Sequence, residues 1–284
     1  MSAAPDNNPE EIFKTLRKAR LTAITVMAIP AAILLASGIL MAQLGLPWWL
    51  TVAPAGIMGA LAGAAASVPA LRGVRLFYLA IMTLAFGELM RWVYIRWETV
   101  TGGSFGMAVP AADVFGFVLE TDRQKFYAFL VLVLLVIVAS DRLLRSRFGR
   151  AFFSIKSNEI AAAAMGIPTD RYIVLGFAWG GFSVGIGGAM YAALVGHLTP
   201  TSFDLTELIL QFAIIMVGGL GSLVGSVVGA VVITATPELF SGFPGFQELV
   251  FGVLIVIVIL FRPRGLASLL AKAHPMFVDR HYRD

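Results

Sequence analysis

Residues 126–140 read FYAFLVLVLLVIVAS, an apolar run without a charged side chain that decides the fold. Runs of about 15 to 25 such residues recur along the chain, and a helix of this length crosses a bilayer core of about 30 Å. Of all 284 residues, 58% are hydrophobic and 13% are charged, whereas soluble domains carry roughly 25% charged residues. The sequence therefore predicts an all-α protein, a polytopic bundle of transmembrane helices.

The composition excludes several other classes of protein. Continuous apolar runs argue against a β-barrel, whose strands alternate polar and apolar residues. The chain has no cysteine, which excludes disulfides and cysteine-ligated metal sites. It has neither an H-E-x-x-H motif nor clustered carboxylates, so we predict no metal site and no cofactor. The net charge of +4 is explained by basic loops between membrane spans, and we predict no nucleic-acid partner.

The apolar runs predict about eight membrane spans within residues 21–262. Six of them are continuous, at residues 21–42, 50–70, 76–97, 126–140, 172–195 and 246–261. The stretch 205–239 is too long for one crossing and too rich in glycine for one straight helix. It forms either two short spans around residues 218–222, which we favour, or a re-entrant hairpin covered by protein. Residues 1–20 and 263–284 form an N-terminal segment and a tail.

The distribution of lysine and arginine predicts the orientation of these spans. With the N-terminus in the cytoplasm, 17 of the 21 basic residues fall in inside segments. Two fall outside, Arg123 and Lys125, and two fall within a span, Arg91 and Arg96. This bias follows the positive-inside rule, so we expect both termini and the long connection 141–171 in the cytoplasm.

The connection 141–171 contains a predicted short helix. Ser157 or Asn158 can cap its first turn by accepting a hydrogen bond from a free backbone N–H. The alanines that follow have the highest intrinsic helix propensity. Gly166 suits the left-handed position that ends a helix, and Pro168 blocks its continuation. The pattern predicts a helix of about two to three turns, which is marginal in isolation because nucleation is costly.

A helix kept outside the membrane can dock on a protein partner or lie on the lipid surface. An alanine-rich face buries little area in lipid, whereas a small, smooth helix fits a protein groove. We therefore favour docking on a protein.

The connection resembles the coupling loop of bacterial ABC importer permeases, and most closely the branched-chain amino-acid (Liv-type) permease of the M kind. The residues that carry this resemblance are Gly149-Arg150-Ala151, Asn158-Glu159-Ile160-Ala161-Ala162 and Gly166. Similar motifs elsewhere are YLAI at 78–81, TLAFGE at 83–88, TGG at 101–103, GAMYA at 188–192, GGLGS at 218–222, PEL at 237–239 and FRPRGL at 261–266. The resemblance covers residues 71–266.

The resemblance implies a multi-pass permease subunit of an ATP-driven importer in the bacterial inner membrane, for branched-chain amino acids or related small solutes. It implies a second, homologous permease, two cytoplasmic ATPase subunits and a periplasmic solute-binding protein as partners. The implied ATPase-coupling residues are Asn158, Glu159, Ile160, Ala161, Ala162 and Gly166. The chain has no G-x-x-x-x-G-K-[ST] phosphate loop, so we expect a transport subunit and not an enzyme.

The sequence departs from the family pattern in three places. Lys156 replaces a usual arginine, which keeps the charge but not its forked geometry. The family usually carries a further N-terminal stretch, with a motif rich in glycine and serine, ahead of the position of Leu21. Ser226 stands where the family tends to have proline.

Glu88 is the clearest ionisable residue within a predicted span. A charge there is costly unless it is paired or hydrated, which favours a functional role facing the substrate path. The alternative is a structural ion pair with Arg91, three residues further along the same helix face. Gly219 and Gly221 are further candidates for the path, because broken helices often form transporter sites. The alternative, a tight turn between two packed helices, is the interpretation that we slightly favour for these glycines.

Small residues recur at the four-residue spacing that lets helices approach closely in lipid. The pairs Gly59 and Gly63, and Gly181 and Gly185, predict close packing within one bundle. Residues 102–106 spell G-x-S-x-G, but a hydrolase needs this motif on a strand-to-helix turn beside a histidine. We expect a loop outside the membrane instead.

A self-sufficient, ion-coupled secondary transporter is the alternative function. It would show more intramembrane carboxylates and inverted repeats. The chain has one such carboxylate, Glu88, and no convincing repeat. The importer subunit is therefore the preferred interpretation.

Overall fold

The computed structural model describes residues 38, 40–42, 45–71, 76–114, 116–199, 205–219, 222–239, 252 and 266. The chain divides into two compact units, Met1–Phe203 and Asp204–Asp284. The described helices are α1 (Trp48–Ala66), α2 (Val68–Leu71), α3 (Leu76–Arg96), α4 (Glu98–Thr101), α5 (Asp122–Arg145), α6 (Arg147–Ser157), α7 (Glu159–Ala164), α8 (Thr169–Val195), α9 (Leu205–Gly218) and α10 (Leu223–Leu239). The described strands are β1 (Met107–Ala108), β2 (Asp113–Val114), β3 (Phe117–Val118) and β4 (His197–Leu198).

Three helical stretches in the described residues are long and apolar enough to cross a membrane, namely Trp48–Leu71, Asp122–Arg145 and Thr169–Val195. Much of their apolar surface is exposed, and Leu134 and Leu135 of α5 are 50% and 61% exposed. Such exposure is unfavourable in water but not against lipid tails, which are as apolar as leucine. The predicted all-α membrane protein is confirmed.

The predicted number of spans stays a prediction. The expected spans at residues 21–42 and 246–261 lie almost wholly outside the described residues. The expected span 76–97 is the helix Leu76–Arg96. The run 126–140 lies inside a longer helix, Asp122–Arg145, which carries charged residues at both ends beyond the apolar segment.

Helices α1 and α8 pack backbone against backbone through facing glycines. A Cβ added at Gly59 would overlap the carbonyl group of Gly181, and one added at Gly181 would overlap the carbonyl group of Gly59. Two further contacts of this kind place Gly63 against Phe177 and Gly185 against Ala55. The four-residue spacing of the glycines therefore serves close helix packing, as predicted.

A buried cluster around Trp48 lies where α1 begins and α8 ends. The backbone N–H of Trp48 donates to Oδ1 of Asp113 at 2.8 Å, and its indole N–H donates to the carbonyl of Ala189 at 2.9 Å. Pro47 precedes the helix and offers no side-chain cap, so the Asp113 carboxylate from β2 caps α1 instead. The Trp48 ring also lies 5.2 Å from that of Phe129 on α5. These contacts tie the β2 loop to the end of the helix bundle.

The G-x-S-x-G motif forms a glycine-rich turn at this same end. Gly102 and Gly106 have φ angles of 72° and 74°, a left-handed region that favours glycine. Ser104 lies in a 3-10 turn, Gly103–Phe105, that leads into β1. This is not the strand-to-helix turn that a hydrolase nucleophile requires. Strand β1 pairs antiparallel with β4, with Met107 opposite Leu198.

The second unit contains a pair of helices, α9 and α10, that contact each other through glycines. A Cβ added at Gly218 would overlap the carbonyl group of Gly225, and one at Gly229 would overlap that of Ile214. Between the helices, Oγ of Ser222 accepts a hydrogen bond from the N–H of Gly225 at 3.0 Å. The stretch 205–239 is therefore two helices joined by a short connection, as its glycine content predicts.

Candidate functional site

The connection between α5 and α8 is a compact structure of two short helices. Its first turn is fixed by Ser146, which adopts an extended conformation directly after α5. The Ser146 hydroxyl donates to the carbonyl of Leu143 at 2.6 Å and accepts from the N–H of Phe148 at 3.1 Å. A Cβ at Gly149 would overlap the carbonyl group of Leu144, so only glycine fits this close approach. The serine and the glycine together set the direction in which α6 leaves α5.

Aromatic contacts anchor α6 on α8. The rings of Phe148 and Phe152 lie 6.1 and 6.0 Å from the ring of Tyr172, at angles of 57° and 88°. Both geometries are favourable for aromatic pairs. The two phenylalanines are four residues apart and so share one face of the helix. Their spacing in the sequence indicates this apolar face. It does not indicate the anchor, because the partner residue on α8 is distant along the chain.

Helix α7 begins and ends with well-formed caps. Asn158 has an extended backbone, and its Oδ1 accepts from the N–H of Ala161 at 3.0 Å. At the other end Gly166 has a φ of 82°, and its N–H donates to the carbonyl of Ala163 at 2.9 Å. The N–H of Ile167 donates to the carbonyl of Ala162 at 3.1 Å, which completes a Schellman motif. Of the two predicted caps, Asn158 is the one used, and the helix is six residues long instead of two to three full turns.

Most of α7 is exposed. Among the six residues that the resemblance singles out, only Ala162 is buried, with no exposed surface. Ile160 is 80% exposed, and Met165, directly after the helix, is 72% exposed. Two large apolar side chains thus stand out from a small helix beside the exposed carboxylate of Glu159. Such a surface suits a complementary groove on another protein better than water.

The two loops that flank α5 lie at opposite ends of that helix. The glycine-rich loop precedes Asp122 and pairs with β4 directly after α8, whereas α6 and α7 connect the end of α5 to the start of α8. Between residues 97 and 121 the sequence has no lysine or arginine, whereas residues 141–171 have six. The basic residues are therefore concentrated at the end of the bundle that carries α7.

Glu88 forms an ion pair with Arg91 on the same helix, α3. The Nε of Arg91 lies 3.2 Å from Oε2 of Glu88, and the two side chains are 33% and 39% exposed. This is the structural pair that the sequence offers as the alternative to a free carboxylate. A role in the substrate path stays a prediction, because a partly exposed pair can also meet a passing solute.

The two glycines proposed for the substrate path belong to the second unit. Gly219 follows α9 directly, is buried, and has a φ of 121°. Gly221 lies outside the described residues. The role of these two glycines in a substrate path therefore also stays a prediction.

Comparison with known proteins supports the resemblance. A family model described as "Branched-chain amino acid transport system / permease component" matches residues 20–261. The LivM protein of Escherichia coli K12, named a high-affinity branched-chain amino acid transport system permease, is 33% identical over 78% of this chain and 58% of its own length. The LivH permease of the same organism is 24% identical over 60% of this chain and 58% of its length. YphD of the same organism, named a probable ABC transporter permease, is 31% identical over 41% of this chain and 37% of its length.

The matches cover most of this chain but only part of its relatives. The chain spans about 58% of the length of the LivM protein. No solved structure significantly matches the chain. The family model, however, covers 242 positions, from residue 20 to residue 261, which is most of the 284 residues. The protein therefore belongs to the branched-chain amino acid transport system / permease component family.

Proposed function

We propose that this chain is a membrane-spanning subunit of an ATP-driven ABC importer that carries branched-chain amino acids or related small solutes into the cell. Membership of the permease family is the observation that carries the proposal. The relatives include proteins named as branched-chain amino acid permeases and as a probable ABC transporter permease, which favours the same role. The chain lacks a phosphate loop, so the hydrolysis of ATP is assigned to separate subunits.

The assembly that we propose contains two homologous permeases, two cytoplasmic ATPase subunits and a periplasmic solute-binding protein. Similarity to both LivM and LivH supports the pairing of two permeases of this family. The excess of basic residues at the α7 end assigns that end to the cytoplasm of a bacterial inner membrane, with both chain termini on the same side. The opposite end, with its glycine-rich loop, then faces the solute-binding protein.

The coupling of ATP hydrolysis to transport is assigned to α7. Its caps hold a short helix in a defined position at the membrane end, and its anchor α6 is packed against a spanning helix. An ATPase groove that closes on Ile160 and Met165 would therefore move α6 and α8 with it. Buried Ala162 keeps α7 close to its own chain, while Asn158 and Gly166 fix its two ends. The exposed Glu159 and Ala161 complete the docking face.

A pull-down from the native membrane tests this function. The tagged chain, extracted in a mild detergent, is expected to retain a second permease and two ATPase subunits, identified by mass spectrometry. Proteoliposomes with this assembly and its solute-binding protein should take up leucine only when ATP is present inside. A preparation of the chain alone that transports leucine with an ion gradient would contradict the importer and support a secondary transporter.

Glu88 provides a prediction for the substrate path. If its carboxylate attracts the ammonium group of a substrate, Glu88→Gln should raise the half-saturating concentration for uptake about tenfold, which corresponds to about 1.4 kcal/mol. Arg91→Gln breaks the same ion pair but keeps the carboxylate, so it is the matched control and should not weaken uptake in this way. Equal effects of the two variants, measured in assemblies of equal thermal stability, would assign the pair a structural role only.

A further inference from the structure

A groove of about 620 Å³ lies between α1, α6 and α8, at the end of the bundle that carries α7. Its lining is almost wholly apolar, with Lys156 as its one charged side chain. In the part of the chain that the structure describes, no carboxylate lies within ion-pair distance of this lysine. The groove therefore offers one free positive charge beside an apolar surface.

Two glycines of α8 form the floor of this groove. A Cβ added at Gly180 would meet nothing within 4 Å, and one at Gly176 would meet only the ring of Phe152, at 3.7 Å. Gly181, by contrast, is required for the contact with α1. Within the described residues, helix packing explains why position 181 is glycine. It does not explain the glycines at positions 176 and 180, which border open space.

The groove runs along α8 from its first turn. Tyr172 lies in the first turn of α8 and Gly180 lies further along the same helix, whereas Lys156 lines the groove from α6 and is exposed. From Tyr172 to Gly181 the helix rises by about 14 Å at about 1.5 Å per residue. This length is close to half of a hydrocarbon core of about 30 Å, which is the thickness of one leaflet.

We propose that this groove binds an anionic phospholipid from the cytoplasmic leaflet. Its phosphate group contacts the ammonium group of Lys156, and one acyl chain lies along Gly176 and Gly180. The charge complementarity selects an anionic headgroup, as basic pockets between spanning helices do. The apolar floor at membrane depth selects an acyl chain over a soluble phosphate compound. A lipid in this position supports the face of α6 and so stiffens the link between α7 and α8.

Native mass spectrometry of the assembled complex tests this site. The purified, delipidated complex is titrated with dioleoyl phosphatidylglycerol or dioleoyl phosphatidylcholine. We expect preferential binding of phosphatidylglycerol and a loss of about fivefold or more in its affinity for Lys156→Glu, with little loss for Lys156→Arg. Gly180→Leu should reduce the binding of both lipids by filling the floor. Gly187→Leu is the matched control, since Gly187 is on the same helix, has open space around it, and does not line the groove.

Several results would contradict the proposed lipid site. Equal binding of the two lipids together with wild-type affinity in Lys156→Glu would exclude the headgroup contact. Unchanged lipid binding in Gly180→Leu would exclude the acyl-chain site. If Gly180→Leu instead released the second permease and left lipid binding unchanged, the groove would be a protein interface and the lipid proposal would be wrong. Thermal melting of each variant identifies any result caused by misfolding.

Discussion

Gly181→Ala is expected to destabilise the protein by about 3 kcal/mol. The added methyl group would overpack a contact between two helix backbones, where no side chain can move to make room. The added Cβ would lie 2.9 Å from the carbonyl carbon of Gly59 and 3.0 Å from the amide nitrogen of Gly63. These are backbone atoms of α1, so relief requires the two helices to separate. Separation would weaken the packing of the whole α1–α8 pair. In thermal melts of the detergent-purified chain we expect a decrease of roughly 5–10 °C.

Gly180→Ala is the matched control for this prediction. It makes the same chemical change one position earlier on α8, where a Cβ meets nothing within 4 Å. Alanine favours a helix over glycine by about 1 kcal/mol, so this variant should be neutral or slightly more stable. Equal melting temperatures for the two variants would show that α1 and α8 do not pack through Gly181 in the membrane protein.

The sequence predicts this close packing because the spacing of the glycines that allow it can be recognised within a few residues of each helix. Four-residue spacing brings Gly59 and Gly63, and likewise Gly181 and Gly185, onto single helix faces, and few other residue types allow such close approach. The spacing does not identify the partner helix. Helices α1 and α8 are far apart in the sequence, so the contact between them depends on how the whole bundle packs. Side-chain spacing therefore predicts that a close contact exists, but not which helices make it.

Helices α6 and α7 show the same limit to what can be predicted from sequence spacing. Asn158 and Gly166 are predictable as cap and terminator, because capping depends on residues within a few positions of each other. The length of α7 is overestimated, since alanine propensity continues to favour helix until the glycine turn ends it. The anchoring of α6 by Tyr172 is not predicted, because it depends on a contact across the connection. Exposure of Ile160 is likewise a property of the folded chain.

Ile160→Asp is expected to release the ATPase subunits from the complex and to abolish ATP-driven uptake. The side chain of Ile160 is 80% exposed on α7, so its burial in a partner would contribute through apolar contact. An aspartate at this position would place a charge in that contact, and we expect affinity to fall by at least about tenfold, or about 1.4 kcal/mol. The measurement is the ratio of ATPase to tagged chain in pull-downs, followed by uptake in proteoliposomes.

This substitution separates docking from folding better than reversal of charge at Glu159. Position 160 is in the first turn of α7, where a negative charge interacts favourably with the helix dipole. Glu159→Lys would place a positive charge beside the same free N–H groups, which opposes the helix itself. Loss of the ATPase subunits in Glu159→Lys could therefore reflect a disrupted helix, whereas the same loss in Ile160→Asp points to the surface.

Phe105→Asp is the control for Ile160→Asp at the other end of the bundle. Phe105 is 89% exposed, so the change introduces the same charge at a similarly exposed apolar side chain. It lies beside β1, on the end of α5 opposite to α7, and should leave the ATPase subunits bound. Release of the ATPases by both variants would indicate a general effect of surface charge on assembly. Retention in both would show that α7 does not dock through Ile160, and the coupling role would then have to be assigned to another cytoplasmic segment.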